Sequence, residues 1–195
     1  MNPKLNLAFL SLFCFCFFGL SLGAVASDKP VVIVIGEDSG ARSVSRFNLV
    51  YVRIQDAIIA EFREEGFVTF DETEATEGNF RDEGLERTDS ELVQVSQSVT
   101  DASIDVALVL AVFLDDESGR YSKTVRVRVV GRAIDVKTGV KLGVYQAEIP
   151  GVLRVAIDCA RDCILLATHR QGYHLARRAK AVMAANLIAL VSDGR

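Results

Sequence analysis

The stretch from Tyr121 to Glu148, YSKTVRVRVVGRAIDVKTGVKLGVYQAE, constrains the fold more than any other part of the sequence. Its first half alternates along the strand, with Val125, Val127, Val129 and Ala133 on one side and Thr124, Arg126, Arg128 and Arg132 on the other. A period of two is typical of a strand with one buried and one solvated face. The segment DVKTG (135–139) then supplies a turn, because glycine tolerates a positive φ. The stretch predicts a long β-hairpin whose second strand is Val140 to Ile149.

Two further apolar runs predict more strands. The run IDVALVLAVFL (104–114) is almost wholly apolar, which is typical of a strand buried on both faces of a sheet. It is followed by an acidic segment, 115–119, which predicts a turn into the hairpin. The run PVVIVIG (30–36) predicts the first strand, and the short segment 67–70 predicts another. The hairpin and the strand before it are expected to form one antiparallel unit.

Helical patterns separate these strands. An apolar stripe at helical spacing predicts a helix that ends at Gly66 and contributes to the core: Phe47, Tyr51, Ile54, Ile58 and Phe62. Thr88 and Glu91 form a capping box that opens a second helix. After Pro150-Gly151 the chain is predicted to be helical. The predicted order is β-α-β-α-β-β-β-α, a mixed α/β domain with an antiparallel-rich central sheet covered by helices.

The amino terminus has the pattern of a signal peptide. Lys4 precedes a Leu- and Phe-rich run, and the small residues Ala24 and Ala26 occupy the positions that signal peptidase reads. We therefore expect residues 1–26 to be removed by cleavage after Ala26, leaving a single domain, 27–195, that is periplasmic or secreted. The alternative is an uncleaved anchor, because the apolar run approaches the length of a membrane span. Membrane contact is expected only through this segment.

Composition and motifs exclude several classes of function. The formal net charge is −4, whereas a nucleic-acid-binding protein requires a strongly basic face. No Ser-His-Asp or Cys-His signature is present, and no paired carboxylates stand out from the acidic background. The acidic segment 71–87 lacks the ligand spacing of a calcium loop. We therefore predict a protein that is not an enzyme and uses no cofactor or metal.

Cys159 and Cys163 are the two cysteines that remain after the predicted cleavage. An even count in an exported protein favours a disulfide, although a four-residue spacing then requires a turn or a distorted first helical turn. Free thiols are one alternative. Another is a small metal-binding or redox protein that also uses His169 and His174, although the spacing differs from common zinc motifs.

The arginine row, Arg126, Arg128 and Arg132, is the most unusual feature of the predicted sheet. Three guanidinium groups on one strand face would each need a partner if a helix covered that face. One interpretation is a solvated face whose arginines pair with the chain's own acidic residues. The other is a docking surface for an acidic partner protein, since arginine is enriched in interfaces.

The layout resembles a group of bacterial envelope proteins. The group includes the amino-terminal domain of TolB, CsgG, LpoB and the middle domain of FlgT. The stretches that carry the resemblance are VVIVIGED (31–38), EEGFVTFDE (64–72), IDVALVLAVF (104–113) and GRAIDVKTGVKLG (131–143). It implies a periplasmic adaptor or assembly factor that binds other envelope proteins and has no catalytic activity. None of the binding residues of that group can be assigned to a position in this chain. Cys14 and Cys16 each follow phenylalanine, so the lipidation motif of CsgG and LpoB is not expected.

Overall fold

The computed structural model describes residues 29–40, 42–75, 87–100 and 102–193, so the predicted signal peptide lies outside the described residues. The elements of the described part are β1 (Val32–Gly36), α1 (Leu49–Glu64), β2 (Thr69–Asp71), α2 (Glu72–Ala75), α3 (Asp89–Gln97), β3 (Val106–Ser118), β4 (Ser122–Asp135), β5 (Lys141–Ala156), α4 (Arg161–Arg170) and α5 (Gly172–Asp193). The predicted mixed α/β class is confirmed. Within these ranges, no helix is long and apolar enough to cross a membrane.

The strands form one sheet in the order β2-β1-β3-β4-β5. Strand β1 is parallel to β2 and β3, whereas β4 is antiparallel to both of its neighbours, β3 and β5, as the sequence predicts. The β3–β4 register runs without a shift from Val106 opposite Asp135 to Ser118 opposite Lys123. The predicted turn between β4 and β5 is present, with Gly139 at a φ of 71°.

Helices pack on both faces of the sheet. On one face, Leu108 and Leu110 of β3 share a core with the buried sides of α1 and α5. On the opposite face, Ala107 and Val109 pack in a smaller core with Leu92 of α3. Burial on both faces explains why β3 is a nearly continuous apolar run rather than an alternating one.

Local signals fix the ends of two helices. Asn48 accepts a hydrogen bond from the backbone N–H of Val50 and so caps the start of α1. Gly66, at a φ of 84°, ends the same helix, and the ring of Phe67 folds back to 5.2 Å from that of Phe62. The predicted capping box of α3 is present, with reciprocal hydrogen bonds between Thr88 and Glu91.

Two predicted strand ends are wrong, because both strands continue. Strand β3 extends to Ser118 through the segment predicted as an acidic turn, since β4 pairs with it over that length. Strand β5 continues past Pro150 to Ala156, where a helix was predicted. Pro150 and Gly151 form a bulge opposite Arg126, and Gly151 has a φ of 115°. Proline has no backbone N–H to donate to a neighbouring strand, so it is tolerated at a bulge on an edge strand.

Three other predictions are corrected by the structure. Phe47 is exposed rather than part of the core, because α1 begins after the Asn48 cap. The single predicted carboxy-terminal helix is divided at Gln171 into α4 and α5. The acidic segment predicted as a loop begins with the short helix α2, and its residues 76–86 lie outside the described part of the chain.

The phenol of Tyr51 is fully buried between α1 and the sheet. Its hydroxyl donates a hydrogen bond to the carbonyl oxygen of Leu110, at 3.2 Å. Burial raises the pKa of Tyr51 well above its ordinary value, and the neighbouring carboxylates of Glu72 and Asp38 raise it further. The folded protein therefore keeps this phenol protonated at pH values where the unfolded chain ionises it.

We expect the free energy of unfolding of the wild-type protein to fall relative to Tyr51→Phe as the pH rises above about 10, the ordinary tyrosine pKa. Below that pH Tyr51 is protonated in both states, so the difference between the two proteins is constant. Above it only the unfolded chain ionises, and the wild type loses about 1.4 kcal/mol per pH unit relative to the variant. Urea unfolding from about pH 8 to about pH 11.5 measures this. Tyr121→Phe, at a site 78% exposed, is the control. Parallel pH profiles for wild type and Tyr51→Phe would contradict the prediction.

Candidate protein-docking surface

The arginine row lies on one face of β4, as the alternation predicts. Val125, Val127 and Val129 are buried toward α1 and α5, and the arginines project to the opposite side. Their exposure differs along the strand. Arg126 is exposed, whereas Arg128 and Arg132 are partly buried.

Arg132 belongs to the internal framework of the domain. Its guanidinium donates two hydrogen bonds to the carboxylate of Glu37, at 2.8 and 3.0 Å, and its Nε lies 3.2 Å from the carboxylate of Asp89. The Glu37 side chain is only 8% exposed. These contacts join β4 to the segment after β1 and to the first turn of α3. Two parallel hydrogen bonds give such a pair directional specificity as well as energy.

Arg128 is held by its cross-strand neighbours on β3. Its Nε lies 3.0 Å from Oδ2 of Asp115, and its guanidinium lies 4.3 Å from the centroid of the Phe113 ring. Phe113 is directly opposite Arg128 in the register. The aromatic face and the carboxylate together orient the guanidinium, and the cation–π contact contributes about 0.5–1 kcal/mol when solvent-exposed.

Arg126 is the most exposed member of the row, with 46% of its side chain accessible. Its Nη2 lies 3.6 Å from Glu117 on β3, and its Nε lies 3.4 Å from Glu148 on β5. Both carboxylates are more exposed than the arginine. Exposed ion pairs of this kind contribute about 0–1 kcal/mol, so a partner could replace them at little cost.

We call the surface around Arg126 and Arg128 the open face. Its members alternate along β3, β4 and β5 on the α3 side of the sheet, and they are partly or fully exposed among the described residues: Phe113, Asp115, Glu117, Arg126, Arg128, Val130, Val144, Gln146 and Glu148. Val144 is 54% exposed. Two arginines face three carboxylates, so charge alone does not favour the acidic partner that the arginine row suggests.

The sequence did not reveal the acidic partners of the row. The acidic segment 115–119 predicts a turn, whereas Asp115 and Glu117 lie on β3 beside β4. A longer β3 would have placed them opposite Arg126 and its neighbour Thr124. Nothing in the sequence marks Glu37 as the partner of Arg132, because the two residues are far apart in the chain and meet only through the packing of β1, β3 and β4.

Cys159 and Cys163 are joined by a disulfide, with a Cα–Cα distance of 5.5 Å. Cys159 precedes α4 and is buried, whereas Cys163 lies in its first turn and is exposed. Lys123 of β4 donates a hydrogen bond to the carbonyl oxygen of Cys159, at 2.7 Å. The disulfide takes both thiolates that the metal-binding alternative requires. Among the described residues, no group of three or more His, Cys, Asp and Glu side chains is arranged to hold a metal ion.

No protein-family model and no curated protein matches the sequence. Among solved structures, the chain is similar to lipoprotein GNA1162 from Neisseria meningitidis, with 16% identity and a TM-score of 0.42 over 70% of this chain and 90% of that one. It is also similar to the hypothetical protein CT253 from Chlamydia trachomatis, with 8% identity and a TM-score of 0.47 over 84% and 99%. The PelC dodecamer from Paraburkholderia phytofirmans gives 14% identity and a TM-score of 0.38 over 83% and 87%. No functional residue is transferred from these proteins.

We expect Arg132→Met to lower the free energy of unfolding by about 3 kcal/mol, because it leaves the buried carboxylate of Glu37 without its partner. The matched variant Arg126→Met should change it by less than about 0.5 kcal/mol, because Arg126 lies in exposed ion pairs. Chemical denaturation measures both. Glu37→Gln should recover part of the loss in the Arg132→Met background. Equal effects of the two single variants would show that Arg132 is not part of the framework.

We expect the double variant Cys159→Ser/Cys163→Ser to be less stable than the oxidised protein by about 2 kcal/mol, the value expected for so short a closed loop. Urea unfolding with and without a thiol reductant measures the difference. Reductant should lower the free energy of unfolding of the wild type to that of the variant and leave that of the variant unchanged. If the oxidised and reduced wild type unfold at the same urea concentration, the disulfide does not stabilise the fold.

Proposed function

We propose that the protein is a non-catalytic interaction module of the bacterial cell envelope and that another envelope protein docks on its open face. The predicted signal peptide supports the location, and the resemblance to the TolB amino-terminal domain and to CsgG supports an adaptor role. The observation that carries the proposal is the open face itself. It presents apolar side chains and arginines whose ion-pair partners are exposed, as for Arg126, or partly exposed, as for Arg128.

The two faces of the hairpin strands are used differently. On one face, buried valines of β4 pack against α1 and α5. On the other, Val130 and Phe113 are only partly buried and Val144 is exposed. A partner that covered these side chains would gain about 25 cal/mol for each Å² of apolar surface removed from water. Arginine is suited to the surrounding positions, because guanidinium is weakly hydrated and common in interfaces.

The charge pattern restricts the chemistry of the partner. Along the open face, Arg126 and Arg128 lie between carboxylates on both neighbouring strands. A uniformly acidic partner would meet Asp115, Glu117 and Glu148 and be repelled. The complementary surface therefore has an apolar centre and side chains of both charges. Such complementarity contributes more to specificity than to affinity.

The proposal is tested by site-specific photocrosslinking in cells that produce the full chain. A crosslinker at Val144 and another at Gln146 should capture the same envelope protein, which mass spectrometry then identifies. The control position is Tyr173 of α5, which is 68% exposed. Capture of the same proteins from Tyr173 as from the open face would show that the contacts are not specific to this surface.

We expect Arg126→Glu/Arg128→Glu to abolish that capture while leaving the protein folded and exported, because both side chains are at least partly exposed. Arg170→Glu/Arg177→Glu, which makes the same charge change on α4 and α5, should leave capture unchanged. Circular dichroism and cell fractionation check folding and export. Unchanged capture by the Arg126→Glu/Arg128→Glu variant would overturn the proposal, and its aggregation would place the two arginines in the internal framework.

A further inference from the structure

Strand β5 is the outer strand of the sheet, and within the described part of the chain it pairs with β4 alone. An outer strand presents a row of backbone N–H and C=O groups that another strand can pair with. This edge is long, because β5 runs from Lys141 to Ala156. Proteins usually protect such edges, so the way this one is interrupted is informative.

The β5 edge is interrupted at two places, because its register with β4 shifts at Leu142 and again at Pro150 and Gly151. The bulge at Pro150 and Gly151 breaks the register with β4, and Nη1 of Arg178 donates a hydrogen bond to the carbonyl oxygen of Pro150, at 2.8 Å. A Cβ on Gly151 would lie 2.0 Å from that nitrogen, so the glycine is needed for this approach. Proline and a bulge both discourage strand pairing. The edge from Gly143 to Ile149 stays regularly paired with β4.

A side-chain groove of about 310 Å³ lies beside the start of the Gly143–Ile149 edge, between β5 and the last turns of α5. The residues that line it are Leu142, Val144, Tyr145, Asn186, Leu190 and Asp193. The Tyr145 ring is fixed there, because its hydroxyl donates to the carbonyl oxygen of Val182 and accepts from Nδ2 of Asn186. The volume is at the lower end of the range for ligand pockets, about 300–1,000 Å³.

We infer that the docking partner adds an extended strand to the Gly143–Ile149 edge of β5 and places an apolar side chain in the groove between Tyr145 and Leu190. In strand addition, backbone hydrogen bonds give affinity and pockets for alternate side chains give specificity. Here the edge of β5 supplies the backbone hydrogen-bonding groups, and the groove supplies a pocket for a side chain. This inference rests on the proposed function, because Val144 belongs both to the groove and to the open face.

The charges at the groove define the partner strand more closely. Asp193 lies at its rim, at the carboxyl end of α5, where the helix dipole also favours a cation. Glu148 lies further along the same edge, on the open face. The favoured occupant is therefore an extended segment of another protein, with a Leu-sized or Phe-sized side chain flanked by Lys or Arg. A second copy of this chain is the competing occupant.

The test uses fluorescent nonapeptides of alternating Thr and Val, with a central Leu or Phe and a lysine at each end, titrated with the full mature chain. We expect saturable binding by fluorescence anisotropy. N-methylation of alternate backbone amides should weaken it at least about tenfold, because it removes edge pairing and leaves the side chains unchanged. Asn186→Phe, which fills the groove from an exposed position, should weaken it to a similar extent. Ala185→Phe, which adds the same bulk at a neighbouring exposed position, should not.

The outcomes separate this inference from the proposed function. If N-methylated and unmodified peptides bind equally, or no peptide binds, strand addition is overturned. If the mature chain alone dimerises and Asn186→Phe abolishes the dimer, the occupant is a second copy and the assigned partner is wrong.

In cells, Asn186→Phe should abolish photocrosslinking from Gln146. If that crosslink persists, docking on the open face stands and the edge inference fails. If the unsubstituted protein gives no crosslink, the proposed function fails, and the peptide titration then decides whether the edge binds a strand.

Discussion

The uninterrupted pairing of β3 with β4 is the constraint on which the rest of the structure depends. It begins at Val106 and continues to Ser118, well beyond the carboxyl end of β1. Over the first part of this length, both faces of β3 are covered by helices. Further along, β4 remains paired with β3 and β5, but the three strands extend past α3, which no longer covers this face of the sheet. The unequal lengths of the strands therefore create the open face.

The arginine row shows how one alternating pattern can serve two purposes. Arg132 lies where α3 covers the sheet, and it needs Glu37 and Asp89 as partners because a guanidinium without them would be costly to bury. Arg126, only six residues away, lies beyond the helix and makes exposed ion pairs that contribute little to stability. Position relative to α3, rather than residue type, determines which arginines hold the domain together and which are available to a partner.

The carboxy-terminal part of the chain packs against the face of β5 that lies opposite the open face. Helix α5 packs on β5, where Gly143 allows the close approach of Leu190, and Arg178 holds the bulge at Pro150. The disulfide of Cys159 fixes the chain where it leaves β5, and Lys123 ties that point to β4. These contacts leave the Gly143–Ile149 edge of β5 regular and accessible and make the edge from Pro150 onward unsuitable for pairing.

The sequence by itself determined the strand alternation, the hairpin turn at Gly139, the capping box at Thr88 and the stop at Gly66. Each of these depends on residues within a few positions of one another, so the physical chemistry is local. Only the tertiary structure decided that β5 passes through Pro150, that Phe47 lies outside the core and that Arg132 pairs with Glu37. Pairing with β4 supplies hydrogen bonds that override the local preference of Pro-Gly to end a strand. The acidic partners of the arginines could not be predicted either. An ion pair depends on the distance between two side chains in space, and alternation along one strand does not show which residues of other strands lie nearby.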